Sequence, residues 1–89
     1  MRAVVAVIGK DTVGILAKVS TICAECNANV MDVTQTIMQD LFAMTMLVDI
    51  TNSKVEFSVM AEAMEKIGEE MGLKVYVMHE DIFNSMHRI

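Results

Sequence analysis

The stretch NVMDVTQTIMQDLFAMTMLVDI, residues 29–50, holds two apolar runs that meet at Asp40. Val, Thr and Ile are frequent in residues 29–39, a composition that favours a β-strand. In residues 41–50 every second residue is apolar, which is the pattern of a strand with one buried face. These apolar residues are Phe42, Met44, Met46, Val48 and Ile50. The join at Asp40 therefore predicts a β-hairpin.

A strand and a helix are predicted before this hairpin. Residues 2–8 are apolar on both faces, which is typical of a central strand. Residues 12–27 carry an apolar helical stripe, and Asp11 or Thr12 is expected to cap the first free N–H groups of that helix. The stripe consists of Ile15, Leu16, Val19, Ile22, Cys23 and Cys26.

A second helix and strand are predicted after the hairpin. Ser53 and Glu56 have the spacing of a capping box, and Gly72 is placed to end the helix that they open. Residues 73–79 alternate as a strand does, and Asp81 is expected to cap a short tail helix. The apolar face of the second helix comprises Phe57, Met60, Met64, Ile67 and Met71, and that of the tail helix Ile82, Phe83, Met86 and Ile89.

The element order is therefore β-α-β-β-α-β with a tail helix. Right-handed crossovers in both halves predict an α+β, ferredoxin-like fold, a four-stranded antiparallel sheet with two helices on one face. The domain is expected to span residues 1–80, with the tail helix of residues 81–89 packed on it or on a dimer partner. The opposite sheet face carries Ala43, Thr45 and Leu47, with Tyr76 and Met78 or their neighbours, and this face is too apolar for solvent and predicts a homodimer.

The composition limits the classes of partner. The chain has 89 residues, enough for one domain, and a net charge of −5. Its seven basic residues are scattered, so the clustered cations of a nucleic-acid surface are missing. The apolar run at residues 3–8 is too short for a signal-peptide core or a membrane span. We expect a cytoplasmic protein with reduced cysteines that binds neither nucleic acid nor membrane.

Two glycines, Gly9 and Gly14, surround the loop that follows the first strand. A nucleotide-binding P-loop requires Lys and Ser or Thr directly afterwards, and here Ile15 and Leu16 follow. The paired glycines of a dinucleotide fingerprint are missing as well. Two interpretations remain: a tight turn that needs glycine, or a helix N-terminus whose free N–H groups bind a small carboxylate.

No group of residues indicates catalysis. Cys23 and Cys26 are spaced like a redox pair, but they lie near the end of their helix, where the dipole opposes a thiolate. They are expected to be buried core residues. His79, Glu80 and Asp81 are consecutive, so their side chains point in different directions and do not converge on a metal. We expect no catalytic residue, no metal and no cofactor, and the chain is not expected to be an enzyme.

Three segments together resemble the ACT domain family. They are GKDTVGIL at residues 9–16, NVMDV at 29–33 and LFAMTMLVDI at 41–50. The segment Thr34-Gln35-Thr36 and the tail resemble a subgroup of small stand-alone ACT proteins from bacteria and archaea. The resemblance covers residues 1–80 and implies the same ferredoxin-like fold.

ACT domains typically bind amino acids or similar small effectors between two subunits and regulate metabolism. The resemblance implies a homodimer that binds such an effector and signals to a separate, unknown protein. It implies that Asp32 or Asp11 pairs with an α-ammonium group, whereas Asn29 has a second interpretation as a turn residue. The implied site comprises Asp11, Thr12, Val13, Gly14, Ile15 and Leu16 from the loop and Asn29, Val30, Met31 and Asp32 from the strand. The alternative is a ligand-free dimerisation or protein-interaction subunit.

Overall fold

The computed structural model describes residues 1–10 and 14–86. The described part of the chain contains four strands and three helices in the predicted order. They are β1 (Arg2–Gly9), α1 (Ile15–Glu25), β2 (Asn29–Met38), β3 (Leu41–Asp49), α2 (Phe57–Glu70), β4 (Lys74–His79) and α3 (Glu80–Met86).

The four strands form one antiparallel sheet in the order β2-β3-β1-β4. The prediction of a ferredoxin-like fold is confirmed. β1 lies between β3 and β4, as expected from its two apolar faces, and β2 and β4 are the edge strands of the described sheet. Gln39 and Asp40 form the turn of the predicted hairpin, and Gln39 has a φ of 56°. α1 contacts β2, α2 contacts β4 and the two helices contact each other, so they lie side by side on one face of the sheet, towards its two edges.

The core lies between the sheet and the first two helices and is almost entirely aliphatic or sulfur-containing. Alternate residues of β1 and β3 point into it, and both predicted cysteines are buried there, Cys23 at 1% and Cys26 at 9% exposure. Full burial of a Val, Ile or Met side chain stabilises the fold by about 1.5–3 kcal/mol. The largest fully buried side chains are Ile15, Met44, Met46, Met60, Met64, Val5, Val7, Val19, Val48 and Cys23.

The start of α1 differs from the prediction. The N-cap is Gly14, with φ 82° and ψ −3° and no side-chain cap hydrogen bond. The helix begins at Ile15, so Asp11 or Thr12 does not occupy the cap position, and both lie outside the described residues. A left-handed backbone of this kind costs other residues conformational energy, which explains a glycine at this point.

The start of α2 also corrects the prediction of a capping box. α2 begins at Phe57, and its N-cap Glu56 makes no side-chain cap hydrogen bond. The Ser53 hydroxyl instead donates to the carbonyl oxygen of Val55 at 2.8 Å and accepts from its N–H at 3.3 Å. The end of α2 is as predicted, since Gly72 follows it with a φ of 73°.

The short tail helix α3 begins at Glu80, one residue before the predicted Asp81. An ion pair between the Arg2 guanidinium and the Glu80 carboxylate ties α3 to β1. Ile82, expected on the apolar face of the tail, is 56% exposed, and Ile89 lies outside the described residues. Among the described helices, none combines the length and hydropathy that crossing a membrane requires.

Candidate functional site

The first predicted site segment lies at the end of the sheet where the chain leaves β1 for α1. We call this end the loop end of the sheet. Gly14 is exposed, and a Cβ at this position would have no neighbouring atom within 4 Å. The Ile15 side chain is 2% exposed and packs in the core, so only its backbone can face a ligand, whereas Leu16 is 38% exposed. The other loop residues of the prediction, Asp11, Thr12 and Val13, lie outside the described residues.

The first turn of α1 presents backbone N–H groups that can donate hydrogen bonds to an anion. The N–H of Lys18 donates to the carbonyl oxygen of Gly14 at 3.0 Å, which begins the helical hydrogen-bond pattern. The N–H groups before it have no acceptor inside a helix. The first turn contains no acidic side chain that would occupy them. These N–H groups and the helix dipole suit a small carboxylate.

The start of β2 carries the second predicted segment. Val30 pairs with Val48 and Asp32 with Leu47, so Met31 forms a β-bulge. Val30 is half-buried, whereas Asn29 and Asp32 are exposed and Met31 is 49% exposed.

The Asp32 carboxylate accepts the N–H of Val33 at 2.9 Å through Oδ1. This bond leaves Oδ2 and the second lone pair of Oδ1 for another donor. Asp32 therefore has the chemistry to bind an ammonium group.

Within one chain the two segments do not meet. Gly9, which leads into the loop, pairs with Phe42 at the start of β3. Asn29 pairs with Asp49 at the end of β3. Seven residues of an antiparallel strand span about 24 Å. A single small ligand therefore does not reach from the N-terminus of α1 to the start of β2 in the same chain.

The far half of β2 contains a feature that the sequence prediction missed. Gln35 pairs with the buried Met44 and Ile37 pairs with Phe42, so both side chains lie on the helix face of the sheet. Nevertheless Gln35 is exposed and Ile37 is 71% exposed. We call Gln35 and Ile37 the uncovered strip of β2. A polar residue at a position of the buried face was the available sequence signal.

An exposed ion pair lies at the same end of the sheet. The Lys10 ammonium and the Asp40 carboxylate are 3.7 Å apart, which links the strand end before the loop to the turn of the hairpin. Exposed pairs of this kind contribute about 0–1 kcal/mol to stability.

The remaining reactive side chains give no support to another chemistry. Burial raises the pKa of the Cys23 thiol and of the Cys26 thiol, so both are held as neutral core residues. Across residues 1–10 and 14–86, no three His, Cys, Asp or Glu side chains are grouped as a metal site would require.

Two of the surface grooves on the described residues are formed by the helices, and no residue of the two predicted segments lines either of them. The larger, about 590 Å³, runs along α2 and is lined by Val59, Glu62, Ala63, Glu65, Lys66 and Glu69. The smaller, about 250 Å³, lies between α1 and α2 and is lined by Ala17, Lys18, Thr21, Ile22, Glu25 and Ile67.

The chain is similar to known proteins in sequence and in fold. A family model described as the ACT domain matches residues 2–78. A UPF0237 protein of Methanocaldococcus jannaschii is 58% identical over 88 residues, which cover 99% of this chain and 98% of the relative.

Solved structures agree with the family match. An ACT domain protein from Streptococcus pneumoniae superposes with a TM-score of 0.78 at 32% identity, covering 93% of each chain. The regulatory subunit of aspartate kinase from Thermus thermophilus superposes with a TM-score of 0.64 at 26% identity. That superposition covers 85% of this chain and 49% of the subunit.

Proposed function

Because the chain belongs to the ACT domain family, we propose that it is a non-catalytic regulatory module that binds an amino acid or similar small carboxylate. The effector binds between two copies of the chain, and the dimer signals to a separate protein. The observation that carries the proposal is the placement of the two site segments at opposite ends of one sheet. A site that uses both segments is complete only when a second chain supplies one of them.

The edge strand β2 offers a route to that assembly. β2 is ten residues long, and one of its sides has no neighbouring strand in the described sheet. Unpaired N–H and C=O groups on an edge favour pairing with another chain. In a two-fold antiparallel pairing of β2 with its copy, the start of one β2 lies beside the end of the other. The start of β2 then approaches the loop end of the partner.

The helix positions favour this arrangement over stacking through the opposite sheet face. α1 lies on the β2 side of the molecule and on the face that also carries the core. A copy beside β2 therefore sits next to the N-terminus of α1. A copy stacked on the opposite face is separated from that N-terminus by the sheet itself.

The two segments divide the recognition of an amino acid between them. The N–H groups at the start of α1 donate hydrogen bonds to the α-carboxylate, and the exposed backbone at Gly14 allows a close approach. The start of the partner's β2 offers polar groups for the α-ammonium group, among them the exposed carboxylate of Asp32, which pairs with Leu47 on the face away from the helices. The ligand so bound contacts both chains.

Signalling follows from differential binding. A ligand that bridges two chains stabilises the dimer arrangement in which both segments fit it, and only a difference in affinity between arrangements shifts the population. The likeness to a regulatory subunit of aspartate kinase supports a regulatory role.

The net charge of −5 supports a partner other than nucleic acid, and the two free cysteines support a cytoplasmic location.

A thermal-shift screen with the twenty amino acids tests the proposal. A ligand at about 100 times its Kd stabilises the folded chain by about 2.7 kcal/mol, which raises the melting temperature measurably. We expect at least one amino acid to do so, and Gly14→Val to abolish the effect while the dimer persists. No shift with any amino acid at millimolar concentration would contradict the proposal.

The second candidate function is a ligand-free dimerisation or interaction subunit. It is favoured by the sheet face opposite the helices, where Ile8 is 40% and Tyr76 is 49% exposed. Exposed apolar patches of this kind often mark association. A stable dimer that responds to no amino acid would favour this function over the first.

A further inference from the structure

We infer that two copies of the chain pack together through the sheet face that lies away from α1 and α2, with α3 of each copy covering the exposed end of the other's face. We call this face the outer face. It is neither the N-terminus of α1 nor the edge of β2, so the inference does not rest on the proposed function. The partner that it names is a second copy of this chain.

The outer face is covered at one end and exposed at the other. Residues of β1 that alternate with core residues such as Val5 point to it. Among them Val4 is 3% exposed, whereas Ile8, at the loop end of the sheet, is 40% exposed. Tyr76 on the neighbouring β4 is 49% exposed. We call Ile8, Tyr76 and Lys74, which pairs with Ile8, the exposed end of the outer face.

α3 lies at the covered end. It contacts β1 and β4, and it begins directly after His79, which pairs with Ala3. Arg2 points to the same face as Val4, and its guanidinium binds the Glu80 carboxylate at the start of α3. The helix therefore stands as a step at one end of the outer face and leaves the exposed end low.

A surface with one raised and one low end fits a copy of itself that is turned end for end. The axis of such a two-fold contact runs across the strands at the row where Ala6 pairs with Tyr76. β1 and β4 of one copy then lie over β1 and β4 of the other, with their directions reversed. α3 of each copy consequently lies over the exposed end of its partner. The contact is closed, because both copies use the same surface.

An apolar side chain of α3 matches the apolar side chains of the exposed end. Ile82 is 56% exposed, although the pattern of the tail predicts that it is buried. In the stacked pair it packs against the partner's Ile8 and the partner's Tyr76. Burial of these three side chains in each half of the contact supplies its hydrophobic stabilisation.

The charges of the two ends are opposite. The Asp81 carboxylate of α3 lies 3.6 Å from Nδ1 of His79, and its side chain is 88% exposed. Lys74 is exposed at the other end of the face. End-for-end stacking brings each Asp81 towards the partner's Lys74, whereas stacking in the same direction would bring the two Asp81 carboxylates towards each other. Charge therefore selects the same arrangement as shape.

Analytical ultracentrifugation of charge-reversed variants tests the contact. Lys74→Glu and Asp81→Lys each place like charges across the two-fold contact, so we expect the dissociation constant of the stacked pair to rise about tenfold in either variant. The variant with both changes restores opposite charges, and its dissociation constant should return to that of the unaltered chain. Lys66→Glu is the matched control, because it makes the same charge change on the exposed side of α2 and should leave the constant unaltered.

Ile82→Asp tests the apolar part of the contact. The side chain is more than half exposed, so the fold should persist, but the dissociation constant should rise at least tenfold and the mass of the assembly should fall by half. If the double charge variant is not restored, or if Ile82→Asp and the unaltered chain have the same mass at every concentration, the inference is overturned. The thermal shift with amino acids, measured on the same samples, tests the proposed function separately. Its absence from the unaltered chain contradicts that function and leaves the stacked pair standing.

Discussion

Gly9 and Asn29 pair with opposite ends of the same strand, Gly9 with Phe42 and Asn29 with Asp49. This relationship decides how the chain can use its two family-like segments. The loop segment comes after Gly9 and the strand segment begins at Asn29, and about 24 Å of β3 lies between their partners Phe42 and Asp49. The two segments thus lie at opposite ends of the sheet, and the proposed two-fold pairing of chains would bring them together.

Replacing Gly14 by Ala should lower both the stability of the fold and the stabilisation by a bound amino acid. Gly14 has a φ of 82°, and among the described residues no atom lies within 4 Å of a built Cβ, so the expected cost is backbone strain. We expect a loss of about 1 kcal/mol in the free energy of unfolding. Stabilisation by an amino acid should fall as well, because the added methyl group points into the space that the ligand approaches. Both effects are measured by urea unfolding with and without amino acid.

Gly72→Ala is the control for that variant. Gly72 has a φ of 73°, and again no atom lies within 4 Å of a built Cβ, but it follows α2. It should cost the same stability and leave the response to amino acids unchanged. Equal responses of the two variants to amino acids would exclude Gly14 from the site.

Gly68→Ala should destabilise the packing of α2 on β4. A Cβ at Gly68 would lie 2.3 Å from Cγ2 and 3.0 Å from Cβ of Val75. Because the second atom is fixed to the backbone, rotation of the Val75 side chain does not remove the clash. Alanine is the better helix former, yet we expect a net loss of about 1–2 kcal/mol.

Urea unfolding of the double variant checks the cause of this loss. Gly68→Ala combined with Val75→Ala should cost less than the sum of the two single changes, since residues in contact are coupled. An unfolding midpoint of Gly68→Ala equal to that of the unaltered chain would contradict the close contact.

The stability should depend on pH through Asp49. Thr51 donates to the Asp49 carboxylate through Oγ1 at 2.6 Å and through its N–H at 2.9 Å, and these bonds lower the pKa of Asp49 below 3.8. The stabilisation is therefore complete above the pKa of the unfolded chain. It is lost as the pH falls through the lower pKa of the folded chain.

Thr51→Val should raise the pKa of Asp49 towards its ordinary value, because one of the two donors is removed. A carboxyl carbon titration by NMR measures this directly. Thr45→Val, an exposed substitution within β3, should leave that pKa unchanged. A titration of Asp49 that is identical in the Thr51 variant would show that the hydroxyl bond is not formed in solution.

The thiols of Cys23 and Cys26 should react slowly in the folded chain. Both are buried, and burial raises the pKa of each thiol, so little thiolate is present at neutral pH. A disulfide reagent that absorbs on reaction should modify them at the rate of local opening, and rapidly in strong denaturant. Rapid modification of the native chain would contradict the core assignment.

The sequence predicted the element order because periodicity is a local property. The alternation from Phe42 to Ile50 and the stripe of α2 each bury one face, and the structure buries those faces. The helix starts were less predictable. Ser53 bonded to Val55 rather than to the helix, since short polar side chains have several backbone partners within reach.

The candidate site was predictable only in part. The loop at Gly14 and the start of β2 were predicted as site segments from motifs, but the distance between them depends on strand pairing along all of β3. The bulge at Met31 and the exposure of Gln35 depend on strand register and on where α1 lies over the sheet. Such properties belong to the assembled sheet and are not visible in a local pattern.

A mixing experiment tests the shared site most directly. Gly14→Val disables the loop half and Asp32→Ala the strand half, so neither dimer alone should bind the amino acid found in the screen. After exchange of chains, each mixed dimer contains one site with both halves intact. Random pairing should restore about one quarter of the sites of the unaltered protein, measured by calorimetry. If both variants and their mixed dimers form but the mixture binds nothing, the site does not lie between two chains.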